Sequence, residues 1–316
     1  MPAERNQAYT KGGMTMIDSF EELIAAVKKM PKKKIAIVSP EGSTVIKLVT
    51  QALEAGLAEF VLVGDGEKIK SMAADSGLDS NLITIIHVTD QKAAAEEAVK
   101  LVLAGTAQAI MKGNLPTATF MRAVLDKQKG LNDNKVISEI TLYEKHTDPP
   151  GGGFRFLTDC AINVQPTLDE KKQIIENAVF LAHKLGNPLP KVAVISAVEV
   201  VNPTMPDTVD AAALSKMADR GQITGCLVDG PFAFDNAVSL EAAEYKKVGG
   251  GVAGQADILM MPNLLTANPV RKCLVYYSRQ RIATALMGAK APVIITSRTD
   301  SADTMLLTLV LAAYIS

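Results

Sequence analysis

The chain has 316 residues with 33 basic and 34 acidic side chains, a formal net charge of -1 that argues against a nucleic-acid or membrane surface. Cys160, Cys226 and Cys273 are scattered and odd in number, as in a reducing cytosol, and His87, His146 and His183 show no metal-ligand spacing, so no metal site is expected. No apolar run is long enough to span a bilayer and no signal peptide opens the chain, so a cytoplasmic protein is expected, of a length that favours two domains.

The opening "MPAERNQAYTKGG" lacks apolar periodicity and reads either as an expression leader or as a frayed arm, covering residues 1–15. From there short β-rich runs alternate with helical patterns. "KKIAIVSP", "EFVLVGD", "LITIIHV" and "QAIMKG" read as strands, and segments such as "STVIKLVTQALEAG" and "DQKAAAEEAVKLVLAG" read as amphipathic helices with glycine stops. Near-continuous apolar strands imply burial on both faces, hence largely parallel sheets between helix layers. The rhythm breaks between residues 135 and 166. "KVISEITLYE" alternates like a one-sided strand, and "HTDPPGGGFRFLTD" carries turn chemistry. The predicted organisation is therefore a two-domain α/β chain, with a first domain of residues 16–137 plus 288–316 and a second of 138–287. The α/β rhythm resumes with "KVAVIS", "GCLVDGP" and "ADILMMP" and closes on "PVIITS".

Four strand ends repeat one theme: "MKGN", "VDGP", "MMPN" and "TSRTD" each place Gly, Pro or Asn beside a Lys, Asp or Arg. Any one is ordinary turn chemistry; together they favour a shared cleft at the carboxyl ends of strands, where open α/β sheets bind ligands. In "MKGNLPTATFMRAVL" Gly113 permits close backbone approach, and Thr117 stands near the amino end of a helix begun by Pro116, a ready phosphate site. Arg122 either reaches the cleft with its long fork or stays on the surface. "TSRTD" either starts the last helix, capped by Thr299 or Asp300, or carries the chemistry. Neither "PPGGGF" nor "VGGGVAGQAD" is a Walker loop, no GxGxxG follows the first strand, and no Gly-x-Ser-x-Gly elbow occurs.

From about Lys34 onward the chain resembles the phosphate acetyltransferase/butyryltransferase family, and phosphate butyryltransferases most. The resemblance is carried by "LTDCAINVQPTLDEKKQIIENAVFLAHKLG", "GQADILMMPNLLTANPVRK" and "KAPVIITSRTDSADT". It implies reversible transfer of a short acyl group, butyryl preferred, between coenzyme A and inorganic phosphate. Coenzyme A is then a substrate, and no tightly bound cofactor is implied. It further implies an isopropylmalate-dehydrogenase-like fold, a homodimer or higher homo-oligomer built through the second domain, and a cleft in which "TSRTD" faces "MKGN". Ser297 and Arg298 match the family's Ser-Arg pair, and Thr117 and Arg122 its Thr and Arg. Lys112 and Gly113 match the butyryl branch, Asn268 follows Ala267 where the family has Gly-Asn, and Lys272 keeps a family position. The family's catalytic Asp falls on Thr304 here. Asp300, one helical turn before it, takes the role, with Asp303 as the alternative. A metal- and NAD-dependent dehydrogenase of the same fold needs an Asp cluster that the sequence does not show. A non-catalytic relative is the reading suggested by the departures at Ala267 and Thr304.

Overall fold

The computed structural model describes residues 16–145, 152–297 and 299–316. The first half runs α1 (Phe20–Lys29), β1 (Lys34–Val38), α2 (Ser43–Glu54), β2 (Glu59–Gly64), α3 (Gly66–Asp75), β3 (Thr84–His87), α4 (Gln91–Leu103), β4 (Ala109–Lys112) and α5 (Thr117–Val124). The second runs β5 (Ser138–Glu144), β6 (Phe154–Thr158), α6 (Leu168–Lys184), β7 (Lys191–Ile195), α7 (Pro206–Asp219), β8 (Leu227–Phe232), α8 (Phe234–Val238), α9 (Leu240–Tyr245), β9 (Ile258–Met260), α10 (Leu264–Tyr276) and β10 (Ile282–Met287). The chain then returns through β11 (Val293–Ile294) to α11 (Ala302–Ile315). Local signals fix these boundaries. Ser19, Asp65 and Asp90 cap α1, α3 and α4 through their side chains, and Thr167 with Glu170 closes a capping box on α6.

Among the described residues the strands form one sheet in the order β3-β2-β1-β4-β11-β10-β5-β6-β9-β7-β8. Two parallel blocks flank β10 and β5, which pair antiparallel with each other and with β11 and β6. The expected plural sheets are thus one, and the halves meet in it through the short strand β11. There Val293 pairs with Leu286 on one side and Ile110 on the other.

The helix layers differ between the two faces. On one face a single core runs the width of the sheet under α1, α2, α3, α6, α7 and α11. α11 is apolar all round because it lies inside that layer. α1 packs across the chain's own division: the Phe20 ring is 5.0 Å from that of Phe154, and its N–H donates to Glu144 at 2.8 Å. On the opposite face there are two cores. One lies under α4 and α5 and includes Leu286 and Val293; the other lies under α8, α9 and α10 and includes Tyr143, Leu157 and Ile282.

Several expectations are corrected. β5 is no one-sided or edge strand; it lies inside the sheet with both faces buried. "VDGP" does not close a strand, since Asp229, Gly230 and Pro231 lie within β8. The departure at Ala267 lies within α10, where that residue is fully buried and helical. Neither Thr299 nor Asp300 caps the last helix; Ser301 does, accepting from the Thr304 N–H. Asp300 therefore precedes the helix and does not share a helical face with Thr304. The segment "HTDPPG" lies outside the described residues.

Candidate active site

Where the two cores on the divided face part, β5 and β10 supply the floor. Opposite residues of an antiparallel pair point the same way, and the register sets Glu139 beside Leu286, Thr141 beside Thr284 and Tyr143 beside Ile282. Leu286 belongs to one core, Tyr143 and Ile282 to the other, and between them Glu139, Thr141 and Thr284 form a polar strip. Ile140 and Leu142 point to the undivided face. The alternation of "ISEITLYE" thus sorts polar from apolar side chains, with both sets buried.

Arg271 descends onto this strip from α10 and is itself buried. Its Nε donates to Thr141 Oγ1 at 3.2 Å and lies 3.8 Å from Glu139 Oε1, while its Nη2 lies 3.8 Å from Asp300 Oδ1. Asp300 closes a tight turn with Ser297: its Oδ2 accepts the Ser297 N–H at 2.7 Å, and its own N–H donates to the Ser297 carbonyl at 3.1 Å. Ser297 Oγ lies 3.0 Å from Thr299 Oγ1. Beneath them Asp159 accepts from the N–H groups of Glu139, Ala161, Ile162 and Asn163, which shapes the loop after β6. Asn268 anchors α10 to that loop by donating to the Cys160 carbonyl at 3.0 Å.

Burial pushes the Glu139 carboxyl up to about 7; Arg271 opposes the rise, and Asp159 and Asp300 add to it. Burial also raises the Cys160 thiol well above its ordinary range, which makes it a packing residue rather than a nucleophile.

Of the remaining sequence-predicted residues, Lys112 ends β4, Gly113 follows it, Thr117 and Arg122 lie on α5, and Lys272 lies on α10. β4 and β11 are parallel neighbours, with Ile294 level with Met111, so the loops carrying Lys112 and Ser297 leave the sheet side by side. Lys112 Nζ donates to the carbonyls of Gly113 and Leu115, each at 3.1 Å. A Cβ on Gly113 would stand 2.4 Å from the Ser39 carbonyl oxygen, so its missing side chain admits β1. Thr117 opens α5, whose Pro116 cap makes no side-chain hydrogen bond, and Arg122 is exposed without an ion pair among the described residues. Lys272 faces away from Arg271, with Nζ 5.9 Å from the Tyr276 ring centre. Arg298 lies outside the described residues. Asp303 is at the surface, 3.1 Å from Arg281. Sequence reasoning missed Glu139, Thr141 and Arg271. The available signals were the polar alternation in β5 and the four-residue spacing of Ala267 and Arg271, which puts both on the buried side of α10.

A second depression, about 350 Å³, opens among Ser39, Glu41, Asp65, Lys68, Thr89, Gln91 and Asn114. Its charges are already engaged, because Asp65 caps α3, pairs with Lys68 and donates its N–H to Glu41. It shares no residue with the strip around Arg271, where buried charges are incompletely paired.

Comparison with known proteins bears on this site. The family model described as "Phosphate acetyl/butaryl transferase" matches residues 89–313, which include the polar strip, α10 and the Ser297–Asp300 turn. The chain belongs to this family. A phosphate butyryltransferase of Clostridium beijerinckii is 45% identical over 303 residues, covering 95% of this chain and 99% of its own. A phosphate acetyltransferase of Rickettsia felis is 40% identical, covering 94% of this chain and 84% of its own. A branched-chain phosphotransacylase from Enterococcus faecalis superposes with a TM-score of 0.79 at 32% identity, covering 90% of this chain and 98% of that one. The expected family and α/β class are thereby established, and the chain is an acyltransferase of this family.

Proposed function

We propose that the protein transfers a short-chain acyl group, butyryl by preference, between coenzyme A and inorganic phosphate. The observation that carries this reading is the Ser297–Asp300 turn, which holds a nearly buried carboxylate against Arg271 at the polar strip of a chain in this family. In the proposed step the coenzyme A thiol loses its proton to Asp300, and its sulfur attacks the acyl phosphate carbonyl. The tetrahedral intermediate then expels phosphate through cleavage of the C–O bond. Ser297 hydrogen-bonds the sulfur or the developing oxyanion, and Arg298 stabilises the negative charge. Lys112, Thr117, Arg122 and the backbone at Gly113 hold the phosphoryl group. Asn268 orients α10, and Lys272 meets the substrate from its outer side.

An ordinary thiol and an ordinary aspartate differ by roughly 4.6 pKa units, or about 6 kcal/mol, so the base requires help from its surroundings. The butyryl preference rests on the similarity to butyryltransferases. Two added methylenes in a fitted pocket are worth about 1.6 kcal/mol, a factor near 15.

The test is release of free thiol from a series of acyl-CoA esters in the presence of phosphate. Butyryl-CoA is expected to show the highest kcat/KM. An acetyl-CoA optimum would shift the reading to the acetyl-specific branch, and the absence of thiol release across the series would leave a non-catalytic binding relative.

A further inference from the structure

The polar strip holds three buried or nearly buried carboxylates, Glu139, Asp159 and Asp300, against one described guanidinium, that of Arg271. Asp159 is accounted for by the backbone N–H groups that surround it. Glu139 and Asp300 share Arg271, which lies 3.8 Å from each and is therefore committed to neither. Among the described residues its one short contact is with Thr141, whose hydroxyl in turn donates to Glu139 Oε1 at 2.9 Å. The other oxygen, Glu139 Oε2, is buried with no hydrogen-bond partner among the described residues. A buried carboxylate oxygen without a donor is costly to charge, so this side chain takes up a proton where a surface glutamate would not.

We propose that Glu139 and Arg271 are positioning residues for Asp300, the charge on Glu139 deciding whether the shared Arg271 guanidinium is drawn to Glu139 or left to hold the Asp300 carboxylate. This rests on the acyl-transfer reading of the site. The groups facing Glu139 are Thr141 on its own strand, Thr284 on β10, Asp159 and Cys160 after β6, Arg271 on α10 and Asp300 before α11. The negative charge of Asp300 is one of the causes that raise Glu139 towards its value of about 7, and coupling between two sites is reciprocal. While Glu139 is neutral, Arg271 is left to engage the Asp300 carboxylate alone. Once Glu139 ionises, it draws on the same guanidinium and frees the Asp300 carboxylate to meet the thiol. Turnover in the thiol-consuming direction therefore rises as pH crosses about 7.

Glu139→Gln tests this, because it keeps an acceptor for the Thr141 hydroxyl and fixes the neutral state. The rising limb of kcat near pH 7 is expected to vanish. Turnover at pH 8 should fall about three- to tenfold, a part of what a positioned base contributes. Wild type and variant should agree at pH 6, with KM values for coenzyme A and acyl phosphate unchanged. Infrared spectra of the substrate-free protein give a second readout: a buried protonated-carboxyl band lost as pH crosses about 7 in wild type and absent from the variant. Turnover with identical pH profiles in the two enzymes overturns the inference and leaves acyl transfer standing. An inert wild type overturns acyl transfer and this inference with it. If the variant does not fold, a wild type with a flat profile between pH 6 and 8, or without the titrating band, overturns the inference by itself.

Discussion

Asp300 holds its turn through Oδ2 and meets Arg271 through Oδ1, so its structural and chemical roles can be separated. Asp300→Asn keeps an oxygen for the Ser297 N–H and leaves the Ser301 cap of α11 untouched. Denaturant titration should place the variant within about 1 kcal/mol of wild type, while kcat falls by roughly 10²–10⁴, the range for a positioned general base. Asp303→Asn is the control. It removes only an exposed contact with Arg281, worth about 0–1 kcal/mol, and should leave kcat near normal. A crippled Asp303→Asn beside a normal Asp300→Asn would reverse the assignment. Glu139 makes a separate prediction about stability. Its folded-state value of about 7 lies above the ordinary glutamate value of 4.5, so the folded protein binds the extra proton. Stability is then lost as pH rises from about 4.5 to about 7, amounting to roughly 3 kcal/mol above that window. Glu139→Gln should therefore be more stable than wild type by up to that amount at pH 8, and nearly equal to it at pH 4.5, as read by chemical denaturation.

At the scale of the element, α5 and β5 show what the sequence makes legible. The helix that follows Pro116 was readable from its turn chemistry, and α5 starts at Thr117 as the pattern indicates. Its first N–H groups have no side-chain cap, which leaves the positive end of the helix open beside Lys112. If α5 and Arg122 hold phosphate, Arg122→Ala should raise the KM for phosphate more than that for coenzyme A and cost about 1.5–3 kcal/mol in kcat/KM. A raised coenzyme A KM with an unchanged phosphate KM would move Arg122 to the nucleotide side. β5 was found in the sequence but misplaced. Alternating Glu139, Thr141 and Tyr143 with Ile140 and Leu142 is the pattern of a half-solvated strand, and only the arrival of Arg271 from α10, far along the chain, makes the polar side an interior one. β10 was not anticipated, because Ala283, Thr284 and Ala285 carry too little side chain to mark a strand. The choice of Lys272 over Arg271 followed a motif position; the helix turns Lys272 toward Tyr276 and Arg271 toward the strip.

At the scale of the whole molecule, the α/β class and the parallel blocks follow from the apolar strands, whose burial on both faces is plain in their composition. The joining of the halves into one sheet depends on the pairing of β11, which local sequence does not encode. The placement of β5 inside the sheet leaves that strand no exposed edge through which residues 138–287 could associate. A homodimer formed by that half remains the expectation from similarity, and β8 is its outermost strand. Light scattering at micromolar concentration should give twice the 33.5 kDa chain mass; a species of 33.5 kDa alone would remove the expectation.

β11 contributes only Val293 and Ile294 to the sheet, yet it sits between β4 and β10 and is the last of the described strands in chain order. During synthesis the other described strands are made before this one. Until it emerges, the inner edges of β4 and β10 face each other unpaired, and the layer that α11 completes is missing. A chain made only as far as β10 therefore has two adhesive edges and an unroofed apolar face. Asp300 lies between β11 and α11, so the polar strip is complete only once this seam has closed.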